Sequence, residues 1–225
     1  MAVPNVGFRC PSKFMTHLKS LSCDCSCFSA THITGENILV GCRKGLKFFN
    51  FDQGSVANCK TSLKMVVSVI EHHNTIYILH KDRNYFKVKM YTPELKFIER
   101  LFKFFTRLPE GPVMAVSDKY IVVSWHLGPF KLCLYNRTSK VTRTIEVDRL
   151  QKPYFLPDGR LLFEEGDFLA KYSIDNEKLN EVWRCDVSMS ICAFWADGDG
   201  MIYILSYDRT TFAHIVSPNG KVRID

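Results

Sequence analysis

The chain has 225 residues, a formal net charge of +7, and 46% hydrophobic and 13% aromatic residues, a balance that suits a folded globular protein and excludes a disordered one. No apolar run approaches a membrane span, and Met1-Ala2-Val3-Pro4-Asn5 lacks the basic start and apolar stretch of a signal peptide, so a cytoplasmic protein without membrane contact is expected. The nine cysteines are an odd number without small-scaffold spacing, which argues against a disulfide framework.

In chain order, residues 1–25 come first, with strand candidates at 6–9 and 14–21 that fit the later pattern poorly. From residue 26 onward a unit of about 40 residues recurs, with an apolar strand, a polar loop, a second strand and a turn. The apolar strand appears as Ile38-Leu39-Val40, Tyr77-Ile78-Leu79, Ile121-Val122-Val123, Leu161-Leu162-Phe163 and Tyr203-Ile204-Leu205, at spacings of 39, 44, 40 and 42. The strand after it ends at Phe51, Tyr91, Tyr135, Ile174 and Val216, and spacings of 40, 44, 39 and 42 track the first set independently.

Each unit parses into four strands. In the second unit these are residues 66–70, 75–80, 86–91 and 95–101. Reversal-prone residues separate third from fourth strands, as in Asp52-Gln53-Gly54, Thr92-Pro93-Glu94 and Ser217-Pro218-Asn219-Gly220. They also precede the second strands, as in His73-Asn74, Ser117-Asp118 and Pro157-Asp158-Gly159. Second strands are apolar on both faces, whereas third and fourth strands alternate, as in Phe86-Lys87-Val88-Lys89-Met90. That gradient suits a blade sandwiched between neighbours near its centre and wet at its rim. One stretch admits another reading: residues 93–108 place Leu95, Ile98, Leu101, Phe102, Phe105 and Leu108 at helical spacing among basic residues, as in an amphipathic surface helix.

These features predict an all-β propeller of five four-stranded blades over 26–225, divided at 26–63, 64–108, 111–149, 150–187 and 188–225, or six blades if residues 1–25 add a partial one.

Chemistry-bearing clusters are sparse. Cys23, Cys25 and Cys27, with Cys10 and His17 upstream, fall on one face of a strand and lack the paired spacing of structural zinc sites. His72, His73 and His80 sit at a turn and a strand end and read as surface histidines. Ser124-Trp125-His126 has no nucleophile-elbow context, and Glu164-Glu165-Gly166-Asp167 lacks calcium-loop spacing. No metal, cofactor, small-molecule substrate or catalysis is therefore expected.

The repeat does bring the loops between second and third strands onto one face. They carry Arg43 and Lys44; Lys81, Arg83 and Tyr85; Trp125 and His126; Glu164 to Asp167; and Tyr207 and Arg209. Arginine, tyrosine and tryptophan are frequent interface anchors, so the basic and aromatic members form the expected partner-binding set. Residues 1–110 hold 16 Lys/Arg against 8 Asp/Glu, and residues 111–225 hold 14 against 15, so all the positive excess (+8 against −1) lies in the first half. A protein partner is the first expectation, and RNA bound by the basic half is the alternative.

The segments Leu156-Pro157-Asp158-Gly159-Arg160-Leu161-Leu162 and Ser217-Pro218-Asn219-Gly220-Lys221-Val222 resemble the turns of NHL- and WD-type propellers, in particular the C-terminal propellers of animal tripartite-motif proteins. The Trp-Asp ending and Gly-His opening of typical WD repeats are absent, and no RING or B-box cysteine-histidine set precedes the repeats. The resemblance implies a scaffold that binds protein or RNA through one propeller face, with no ligase activity carried over.

Overall fold

Alternating side chains and regularly spaced turns dictate the architecture. The computed structural model describes residues 26–33, 37–50, 52–59, 61–105, 112–126, 130–188, 190–206 and 213–223. It is a five-bladed β-propeller whose blades are four-stranded antiparallel sheets in sequential order. The first blade is β1 Cys27–His32, β2 Asn37–Cys42, β3 Gly45–Asn50 and β4 Ser55–Asn58. The second is β5 Val66–His72, β6 Thr75–Asp82, β7 Tyr85–Tyr91 and β8 Phe97–Phe105. The third is β9 Val113–Val116, β10 Tyr120–His126, β11 Phe130–Asn136 and β12 Thr142–Val147. The fourth is β13 Gln151–Phe155, β14 Leu161–Glu165, β15 Phe168–Asp175 and β16 Lys178–Asp186. The fifth is β17 Ile191–Ala196, β18 Ile202–Ser206, β19 Ala213–Val216 and β20 Val222–Arg223. The strand candidates within residues 1–25 lie outside the described residues.

Period-two alternation explains why second strands are apolar on both faces. Along β6, Ile76 and Ile78 pack with Leu39, Leu46 and Val66 towards the first blade, while Tyr77 and Leu79 pack with Met114, Ile121 and Val123 of the third. On β10, Ile121, Val123 and Trp125 face the second blade, and Tyr120 and Val122 meet Leu161 and Phe163 of the fourth. Leu162 on β14 turns the other way, towards Ile202 and Ile204 of the fifth. The cores are thus layers between blades. The outermost strands, by contrast, are largely exposed.

Polar contacts join neighbouring blades. The Val69 N–H donates to Ser29 Oγ at 3.2 Å and the Glu71 N–H to Thr31 Oγ1 at 3.0 Å, tying the first two inner strands together. Arg137 donates to Tyr77 Oη and to the Ser117 carbonyl, both at 2.6 Å. Lys171, only 3% exposed, donates to Asp158 Oδ2 at 2.8 Å within blade four and to the Pro218 carbonyl at 3.5 Å, and Trp183 Nε1 donates to the same carbonyl at 3.0 Å, linking blades four and five.

Residues 97–105 are strand, not helix. β8 pairs with β7 from Tyr85↔Phe105 to Tyr91↔Phe97, with two register shifts that leave Leu101 and Ile98 without a partner on β7. These bulges interrupt the strict alternation, and the interrupted pattern mimics helical spacing.

Candidate functional site

In an antiparallel four-stranded blade, the turns between second and third strands share a face with the connections to the next blade. On the first two blades that face gathers most of the expected binding residues. A chain of backbone hydrogen bonds fixes the loops: the Arg43 N–H donates to the Ser26 carbonyl (3.2 Å), Met65 N–H to the Arg43 carbonyl (3.0 Å), and Lys81 N–H to the Met65 carbonyl (3.0 Å). Gly45, at φ 129°, lets the Arg43-Lys44 turn lie against the neighbouring connection, because a Cβ there would stand 2.7 Å from the Leu63 carbonyl oxygen.

Beside this seam lies a cleft of about 530 Å³ lined by Ser62, Lys64, Met65, His80, Lys81, Asp82, Arg83 and Lys89. Four cations meet one carboxylate, and that carboxylate is already engaged: Asp82 accepts a hydrogen bond from Lys87, which holds it below the usual carboxylate range. No described acidic residue forms an ion pair with Lys64, Lys81, Arg83 or Lys89. Burial, then repulsion from Lys87, lowers the Lys89 ammonium from its ordinary value.

His80 lines the cleft and is only 4% exposed. Neither ring nitrogen has a hydrogen-bond partner among the described residues. Burial, reinforced by the Lys89 charge, pushes its pKa down to about 4; the nearby Lys81 peptide pulls slightly the other way without meeting hydrogen-bond geometry. The ring is therefore neutral at physiological pH, with an N–H donor and an acceptor both unused. A buried polar group left unpaired costs about 1–3 kcal/mol, so the ring carries hydrogen-bonding capacity, unused by the described residues, directly beneath the cations of the cleft. The cleft suits a carboxylate or another oxyanion.

Arg43, Lys44 and Arg83 are exposed, and Lys81 is half-buried with its ammonium over the Phe86 ring. Tyr85 is exposed at the start of β7, edge-on to Phe105 and beneath Lys103. Trp125 is a correction. It is 7% exposed and its ring stacks on Phe104 at 4.5 Å between centroids, because β10 continues to His126 and keeps Trp125 in phase with Ile121 and Val123. It is a core residue, not a partner contact. His126 ends β10, its side chain outside the described residues, as are Tyr207 and Arg209.

His80 was readable only as a surface histidine, yet its even phase with Ile76 and Ile78 on β6 places it inside. That phase was the available signal. Among the cysteine cluster, Cys23 and Cys25 lie outside the described residues, and Cys27 is exposed. Glu164 is paired with Lys152, and Glu165 with Arg184 at 3.0 Å.

No family model matches the chain, and no curated protein matches it in sequence. Solved structures do match in shape. A protein of unknown function from Bacteroides caccae aligns at a TM-score of 0.66 and 13% identity, covering 92% of this chain and 83% of that one. A streptogramin B lyase aligns at 0.63 and 12% identity over 88% of this chain and 67% of that one. A chain of a nidogen/laminin complex aligns at 0.60 and 10% identity over 86% and 76%. At such identities the likeness speaks for the fold alone, and it does not single out the tripartite-motif kind of propeller. It does overturn the expectation that the chain is not an enzyme, since the shared fold carries a lyase as well as a protein found in a complex.

Proposed function

We propose that this chain is an interaction module that captures an acidic segment of a protein partner through the loop face of its first two blades. The observation that carries this reading is the cleft in which Lys64, Lys81, Arg83 and Lys89 surround the buried, unpartnered His80. Arg43 and Lys44 extend the positive surface, and Tyr85 is an exposed aromatic anchor at its edge. Support also comes from the turn resemblance to NHL- and WD-type propellers, whose faces bind macromolecules, and from the similarly shaped chain of the nidogen/laminin complex, which was solved with a protein partner.

A protein segment is favoured over RNA by the shape of the site. Single-stranded nucleic acid is held by a continuous basic groove with aromatic platforms for successive bases. Here the cations surround a compact cleft, and Trp125 is locked in the core. The test is titration of a fluorescent glutamate-rich peptide and of single-stranded RNA against wild type, Lys81→Glu/Arg83→Glu and His80→Leu. Peptide binding lost in the double variant and weakened in His80→Leu supports the reading. Tight RNA binding with no peptide binding, or peptide binding unchanged in the double variant, overturns it.

A further inference from the structure

The opposite face holds a second constellation. The turn after β5 is tight: His73 and Asn74 adopt φ of 49° and 56°, and the Asn74 N–H donates to Glu71 Oε1 at 2.7 Å. This geometry leaves His72 and His73 side by side, their ring centroids 4.3 Å apart and inclined at 50°. In the third blade, the turn between β9 and β10 presents Asp118. It too is held firmly: the Tyr120 N–H donates to Ser117 Oγ at 3.1 Å, and Arg137 donates to the Ser117 carbonyl at 2.6 Å.

Asp118 Oδ1 lies 2.8 Å from His72 Nε2 and 2.9 Å from His73 Nε2, and the three donor groups all fall within 4.8 Å of one another. Two imidazole nitrogens and a carboxylate oxygen are a donor set that zinc and similar ions take at about 2.0–2.2 Å. Adjacent ligands around such an ion stand about 3 Å apart, so small rotations of exposed side chains suffice to admit one. His73 and Asp118 are 76% and 78% exposed and free to make that adjustment, while His72 is largely enclosed and anchors the set. The group opens into a cleft of about 630 Å³ walled by Tyr120, Tyr154, Phe155, Leu156 and Ile174.

We propose that His72, His73 and Asp118 bind one divalent transition-metal ion of the zinc class, with its remaining coordination positions open to this cleft. Three protein ligands leave room for water or a ligand from solution, the arrangement of an ion that can act on or bind something else. The site is separated from the cationic cleft by the full length of β6, so the two readings stand or fall apart.

The experiment uses the full chain, stripped with chelator and titrated with cobalt(II) and then zinc(II) under reducing conditions. Calorimetry reads stoichiometry, and the cobalt spectrum distinguishes nitrogen and oxygen ligands from thiolates by the absence of a thiolate charge-transfer band. One ion per chain is expected, with affinity at least about ten-fold lower in His73→Ala and in Asp118→Asn and unchanged in Cys27→Ser. Both weakened variants change exposed turn residues, and circular dichroism confirms their folding. No uptake by the wild-type chain, uptake undiminished in His73→Ala/Asp118→Asn, or a cobalt spectrum dominated by thiolate bands overturns the proposal.

Discussion

Acidification should destabilise this protein through one buried ring. His80 titrates near 6.5 when unfolded and at about 4 when folded, because burial and the Lys89 charge disfavour its protonated form. Between those values the unfolded chain takes up a proton that the folded chain refuses, so stability falls as pH drops from about 6.5 to about 4 and this contribution then levels off. Each pKa unit is worth about 1.4 kcal/mol, which gives a full effect of roughly 3 kcal/mol and about 2 kcal/mol of loss between pH 7 and 4.5. Urea unfolding of wild type and His80→Leu at both pH values isolates the term, since other titrating groups cancel in the difference. The wild type should lose about 2 kcal/mol more than the variant, and the His80 ring resonance should titrate near pH 4. A ring midpoint near 6.5, or equal losses in both proteins, would mean that burial does not hold the ring neutral in the folded chain.

Three further outcomes are expected. Trp125→Ala should cost about 3–5 kcal/mol in urea unfolding, because it empties the layer between blades two and three, while peptide capture by the folded fraction stays unchanged. Asp158→Ala should cost about 1–3 kcal/mol by leaving the buried Lys171 ammonium without its carboxylate, and Lys171→Met in the same background should recover most of it. Alkylation at neutral pH, read by peptide mass spectrometry, should modify Cys27 well before Cys133, Cys185 and Cys59, whose thiols burial pushes up to about 12, 11 and 11.

The repeat was legible because the architecture imposes it. A second strand sandwiched between two blades must be apolar on both faces, so Ile76 to Leu79, Tyr120 to Val123 and Leu161 to Phe163 announced themselves. Turn residues marked the reversals between them. The errors arose where a strand ran further than its apolar stretch. β10 reaches His126 and draws Trp125 inward, and β6 reaches Asp82 and buries His80. In β8 the turn register marked residues 95–101 as the outer strand, and the bulges at Leu101 and Ile98 only explain why helical spacing offered a second reading there. The meeting of Asp118 with His72 and His73 was not legible at all. It depends on how adjacent blades are set against each other, and nothing in a single turn encodes that angle.

The central claim is that the loop face of the first two blades captures a protein. Its most direct test is a pull-down from cell extract, with and without nuclease, comparing the wild-type chain with Arg43→Glu/Lys81→Glu/Arg83→Glu. A protein should be retained by the wild type after nuclease treatment, released by rising salt and missing from the charge-reversed variant. The same protein retained equally by the variant, or capture that vanishes with nuclease, would contradict that claim.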